Sequence, residues 1–268
     1  MRTAPGVFIS RSALAIILSF TLNFTPYVQA ETDKGLSIAR EMKARTKGFV
    51  NYKVDMEMVL VSASGKKKIR KLRVITREVD GDGDQSLAIF ESPADIKGTG
   101  FLSHTHIQKN DMQWLYLPAL KRVKRIAPNN TVAPFMGSEF SYEDLSSYEV
   151  ENYTYEYIGD ENINGAEYYI LKRFPANEYS GYSLQKIWIE KKRYLPVKTE
   201  FYNKKNEKIK TLRSGDYKLY QNRFWFASTM RMENHLSGKS SILNWRNYEF
   251  MQPLRAADFK PNSLKRIY

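Results

Sequence analysis

A chain of 268 residues, 42% of them hydrophobic, is long enough to bury one large core, and its formal net charge of +13 favours polyanionic partners. It contains no cysteine, which excludes disulfides, thiol catalysis and attachment to a membrane through a lipidated N-terminal cysteine.

Arg2 and Arg11 precede an apolar run over residues 13–24, followed by Pro26 and the small-x-small sequence Val28-Gln29-Ala30. This is the layout of a signal peptide cleaved after Ala30, which assigns residues 1–30 to export through the Sec pathway and 31–268 to one mature domain. The run is short for a membrane span, and no second apolar stretch follows it. Export makes nucleic acid an unsuitable partner and directs the positive charge toward an anionic membrane surface; the competing account is that the charge only keeps the protein soluble.

Over residues 32–47, Leu36, Ala39 and Met42 recur near helical spacing, with Thr32 or Asp33 as N-cap and Gly48 as the stop, which predicts one amphipathic helix. From Phe49 the period becomes two. Val50, Tyr52, Val54, Met56, Met58 and Leu60 share one face, and Asn51, Lys53, Asp55 and Glu57 the other. A turn at Ala63-Ser64-Gly65-Lys66 leads into a second strand, and Asp80-Gly81-Asp82-Gly83-Asp84 turns the chain into a third. Asp80, Asp82 and Asp84 have the spacing of the first calcium ligands of an EF-hand. Gln85, however, stands where that loop needs glycine, and both flanks read as strand, so a hairpin turn is the simpler account.

The window 98–148 organises the rest. Trp114, Leu115, Tyr116 and Leu117 put bulky groups on both faces of one extended segment. Such a strand needs cover on both sides, with Trp114 and Tyr116 under the helix or a cavity and Leu115 and Leu117 opposite. The basic run Lys121-Arg122-Val123-Lys124-Arg125-Ile126 follows. Either one of its cations meets an anionic ligand head group or a carboxylate, or all are solvated charges on an edge strand. On the first reading Arg122, Lys124 or Arg125 stands at a cavity mouth. The loop 127–137 then closes over the ligand as a lid, with Phe135 and Met136 as apolar contacts that swing between a closed core and the bound lipid.

Farther on, Tyr153, Tyr155 and Tyr157 share a strand face, and alternating runs separated by turns continue to residue 250. Counting every alternating run gives about ten strands, spaced like an antiparallel meander. No catalytic constellation accompanies them. Gly181-Tyr182-Ser183-Leu184-Gln185 lacks the second glycine of a nucleophile elbow. His104 and His106 share a face if their segment is a strand, but no carboxylate is placed to complete a zinc site. Residues 141–145 read as a short helix start with Glu143 and Asp144 at its positive end. No enzyme activity, metal or cofactor is expected. Met56, Met58, Met230, Met232 and the abundant tyrosines suit a concave surface that takes an acyl chain, or else simply fill a curved sheet.

The run Gln113-Trp114-Leu115-Tyr116-Leu117-Pro118-Ala119-Leu120-Lys121-Arg122-Val123-Lys124-Arg125-Ile126, followed by Phe135-Met136-Gly137-Ser138-Glu139-Phe140-Ser141-Tyr142-Glu143-Asp144-Leu145, resembles the signature of the outer membrane lipoprotein-sorting proteins, which are LolA-like and periplasmic. The resemblance implies a mainly β (α+β) fold, an unclosed antiparallel β-barrel with an N-terminal helix and short helices on its concave side. It also implies an apolar cavity for lipid or the acyl chains of a lipoprotein, carried toward the outer membrane, and an inner-membrane exporter of the resistance-nodulation-division (RND) type as partner. The same fold serves a periplasmic regulator, which gives the alternative of a sensory module acting on a membrane protein. The residues expected in the lipid cavity or at its mouth are Trp114, Tyr116, Arg122, Lys124, Arg125, Phe135 and Met136.

Overall fold

The computed structural model describes Met1 and residues 26–266, so the apolar run expected to direct export lies outside the described residues. Helix α1 (Pro26–Ala44) starts earlier than the predicted cap, and Thr32 and Asp33 are therefore helix interior. Its apolar stripe, Ile38, Ala39 and Met42, is buried. Gly48, at φ +94°, then turns the chain into the sheet.

Thirteen strands follow among the described residues: β1 (Asn51–Val61), β2 (Lys67–Arg77), β3 (Gln85–Ser92), β4 (Gly100–His104), β5 (Met112–Leu117), β6 (Arg122–Ile126), β7 (Tyr153–Ile163), β8 (Ala166–Pro175), β9 (Tyr182–Glu190), β10 (Leu195–Asn203), β11 (Lys208–Tyr220), β12 (Phe224–Asn234) and β13 (Ser240–Phe250). The expectation of about ten falls short. Strand β4 is short and buried nearly throughout, and β6 carries cations on both faces, so neither shows the alternation that marks a half-buried strand. Every pair is antiparallel. The order is β6-β5-β4-β3-β2-β1-β13-β12-β11-β10-β9-β8-β7, which leaves the barrel unclosed with β6 and β7 as its edges.

Residues paired across strands point to the same side. The register therefore defines one continuous inner face, running from Lys124 and Leu115 through Phe101 and Ala88 to Val74 and Val54. On the other half it continues through Met230 and Leu243, then Leu212 and Thr199, to Ile187 and Leu171. Leu115 of β5 and Phe201 of β10 join one core cluster although seven strands separate them in the sheet, so this face is concave.

Strands β6 and β7 are consecutive in the chain yet lie at opposite edges, so residues 127–152 have to cross the concave side. The crossing segment has no long helix; it is built of 3₁₀ turns at Pro128–Asn130, Phe135–Gly137, Glu143–Leu145 and Val150–Asn152, with a bridge between Pro134 and Ser141. It is seated firmly. Phe135 is 1% exposed, with ring centroids of Phe90, Phe101 and Tyr142 at 5.9, 5.0 and 5.4 Å. The Gln113 amide donates to the Tyr142 carbonyl at 2.9 Å, the Glu139 backbone N–H donates to Ser241 Oγ at 2.9 Å, and Asn152 donates to the His106 carbonyl at 2.9 Å.

Helix α1 covers the inner face at the β7 end, where Ile38, Ala39 and Met42 pack on Tyr155, Leu171, Ile187 and Ile189. Lys43 ties it to the crossing segment through Glu149 at 3.0 Å and the Tyr148 carbonyl at 2.8 Å.

Both faces of β5 are covered, as its sequence requires, but the face of Trp114 and Tyr116 is not the one under the helix or a cavity. Leu115 and Leu117 face the concave core with Phe135. Trp114 and Tyr116 point outward and join Leu87, Ile89 and Leu102 beneath Phe259 and Leu264, which sit on the 3₁₀ turns Ala256–Phe259 and Pro261–Arg266. Trp114 is only half-buried there, so Trp114→Ala should cost about 1–3 kcal/mol in a urea titration rather than the larger cost of emptying a sealed core. A loss above about 4 kcal/mol would contradict this placement.

Candidate functional site: a cavity beneath the crossing segment

Where the crossing segment and α1 do not meet, the concave side keeps a cavity of about 550 Å³. Its floor is the inner face of the sheet, with Phe201, Leu212, Met230, Leu243 and Trp245, and Phe140 and Leu145 of the crossing segment stand over it. Exposed Gln108, Lys109 and Asn110 mark its opening. The size lies within the roughly 300–1,000 Å³ of pockets that hold a small organic ligand.

Polar groups gather at one side. Glu143 accepts the Gly181 N–H at 3.1 Å, and burial, reinforced by neighbouring Asp144, pushes its carboxyl from 4.5 up to about 7. Asp144 accepts the Tyr182 hydroxyl at 2.9 Å and the Ser141 N–H at 2.7 Å, and Lys210 stands 3.6 Å away. Burial raises Asp111, whose carboxylate accepts the His106 N–H at 3.0 Å. Arg173 also lines the cavity. Its Nε donates to Gln185 Oε1 at 2.7 Å, and its guanidinium lies over the rings of Tyr148 and Tyr153 at 4.8 and 4.5 Å.

Glu143 carries a pH prediction. Between pH 4.5 and about 7 the folded protein holds a proton there that the unfolded chain has released, so this group makes stability fall as pH rises through the window. Glu143→Gln keeps an acceptor for Gly181 and removes the titration. The variant should match the parent near pH 4.5 and exceed it by roughly 1–3 kcal/mol at pH 8. Denaturation at the two pH values checks this, and an equal offset at both would contradict it.

None of the seven residues expected at the site lines this cavity. Trp114 and Tyr116 lie on the outer face. Arg122, Lys124 and Arg125 are exposed on edge strand β6, where Arg122 pairs with Leu117 and Lys124 with Leu115, so those two project from the inner face and Arg125, opposite Trp114, from the outer. Phe135 is a core anchor, and Met136 packs beside it with its carbonyl accepting the Arg70 guanidinium. The histidines are engaged separately, His104 with the Phe259 carbonyl at 2.7 Å, His106 with Asp82 at 2.6 Å and His235 with Thr211 at 2.8 Å. Asp82, from the acidic turn, also accepts the Ile107 N–H at 3.0 Å and so helps to fix the loop at the cavity opening.

A domain from Vibrio parahaemolyticus, provisionally named an outer membrane lipoprotein-sorting protein domain, is 47% identical and superposes with a TM-score of 0.85 over 88% of this chain and 100% of its own. The chain belongs to the outer membrane lipoprotein-sorting family. A DUF1329 family protein from Desulfovibrio piger is 28% identical, with a TM-score of 0.82 over 87% of this chain and 99% of its own. The fold extends to a LolA superfamily protein from Nitrosomonas europaea, 17% identical with a TM-score of 0.70 over 85% of this chain and 98% of that one. A family model described as "-like: Uncharacterized protein" matches residues 82–266, a span that includes the crossing segment and the whole cavity wall. No curated protein matches the sequence.

Proposed function

We propose that this lipoprotein-sorting family member is a periplasmic, non-enzymatic carrier that takes the acyl chains of a lipid or lipoprotein into the cavity beneath residues 127–152 for transfer toward the outer membrane. One observation carries this reading. The concave face is packed shut by Phe135 on one side and by α1 on the other, yet between them the partly exposed Leu212, Met230 and Trp245 line open space. Apolar surface left uncovered inside an otherwise packed core is a binding surface rather than a packing one. The exposed cations of β6 fit an approach to an anionic membrane surface, and an inner-membrane exporter of the RND type is the donor this reading supplies.

Titration of the purified protein with an uncharged fluorophore that brightens in apolar surroundings, N-phenyl-1-naphthylamine, tests it. Saturable enhancement, displaced by unlabelled acyl amphiphiles, is expected. Enhancement that does not saturate, or that amphiphiles do not displace, would remove the carrier reading.

A further inference from the structure

The cavity contains a cation that its apolar floor does not explain. Arg173 occupies an inner-face position of β8, opposite Gln185 on β9 and Tyr155 on β7. A guanidinium turned into such an enclosure is costly unless it meets an anion. Among the described residues no carboxylate is paired with it. Three of the four acids that line the cavity are otherwise engaged, Asp144 with Lys210 and Tyr182, Asp111 with the His106 N–H, and Glu143 with the Gly181 N–H; the fourth, Glu151, is exposed to solvent and forms no ion pair with Arg173.

The surroundings hold the guanidinium still. Gln185 takes its Nε–H, and the guanidinium lies against the adjacent rings of Tyr148 and Tyr153. Tyr148 is fixed in turn by a 2.6 Å hydrogen bond to Tyr155, whose hydroxyl also reaches the Val150 carbonyl at 3.0 Å. An arginine has five donors in a planar fork that matches a carboxylate or phosphate. Gln185 takes one of those donors and the Tyr148 hydroxyl another, and among the described residues no carboxylate takes the rest, which leaves them to a group in the cavity that Arg173 lines.

We propose that Arg173 is the head-group site of this cavity and binds the carboxylate or phosphate of an anionic amphiphile whose acyl chain lies on the floor at Leu212, Met230 and Trp245. The inference rests on the carrier reading and gives it a ligand class, since a neutral lipid would leave the guanidinium unmet. It also moves head-group recognition from the basic run of β6 to the interior of the sheet.

Displacement of N-phenyl-1-naphthylamine by dodecanoate, dodecyl phosphate and dodecanol tests it on the parent protein, Arg173→Gln and Arg173→Lys. In the parent the two anionic amphiphiles should displace the fluorophore at roughly tenfold lower concentration than dodecanol, as a charge-assisted contact implies. Arg173→Gln should bring all three to the dodecanol value and leave dodecanol itself unchanged, which also shows that the variant is folded. Arg173→Lys should keep part of the preference. An anion preference that survives in Arg173→Gln overturns the head-group assignment and spares the carrier reading, whereas failure of all three amphiphiles to displace the fluorophore from the parent removes both. Inorganic phosphate should not compete. If it does so as well as dodecyl phosphate, the site recognises free phosphate and the amphiphile is excluded.

Discussion

Replacing Phe135 by alanine should destabilise the protein by about 3–5 kcal/mol, the cost of emptying a sealed aromatic position. The ring is 1% exposed and contacts Phe90 of β3, Phe101 of β4 and Tyr142 of its own segment. It is also the deepest hold that residues 127–152 have on the sheet, so its loss should loosen the whole crossing. Urea denaturation gives the stability, and the displacement assay reports whether the cavity survives. The alternative taken from the sequence, a loop whose Phe135 swings between a closed core and a bound lipid, predicts the reverse pattern, with stability nearly unchanged and ligand binding weakened. A loss below about 1 kcal/mol would therefore restore the swinging lid and displace the anchor.

Met230→Trp should abolish ligand uptake while leaving the fold intact. Met230 is half-buried on β12 and lines the cavity floor between Leu212 and Leu243, so an indole there occupies the space assigned to the acyl chain. Overpacking usually costs 1–3 kcal/mol because a dense core has no room to yield. Here the added atoms enter open space, and the cost should stay under about 1 kcal/mol. Displacement titrations should show at least a tenfold loss of affinity for dodecanoate and dodecanol alike. That equal loss separates blockage of the floor from removal of the Arg173 charge, which should affect only the anionic ligands. Unchanged affinity in a folded Met230→Trp would show that the ligand lies elsewhere.

Much of the architecture was legible because burial leaves a period in the sequence. The alternation of Val54, Met56 and Met58 against Asp55 and Glu57 marks a strand with one buried face, and the structure buries those three residues. The doubly apolar run at Trp114–Leu117 signals cover on both sides for the same reason, but a local pattern does not say which element supplies the cover. Phe259 and Leu264 are separated from β5 by more than a hundred residues and lie in 3₁₀ turns with no helical or strand period. The exchange of faces at Trp114 and Tyr116 follows from that.

The candidate site was harder to read, because it is defined by space that remains unfilled. Leu212, Met230 and Trp245 have the same alternating pattern as residues that pack, and only the path of residues 127–152 leaves them open. Arg173 gave a usable signal. It shares inner-face parity with Leu171, so a cation was already due on an apolar side. The basic run drew the assignment instead because its charges are consecutive, yet consecutive charge at a sheet edge is a common way of keeping that edge in water.

The central claim is that the space beneath the crossing segment holds an acyl chain. Mass spectrometry of organic extracts from protein purified from the cells that make it, run in parallel on the parent and on Met230→Trp, tests it most directly. The account predicts a reproducible acyl-containing amphiphile with an acidic head group in the parent at near-stoichiometric amount, and its absence from Met230→Trp. Parent protein that yields no acyl species, or the same species in equal amount from the blocked variant, would contradict it.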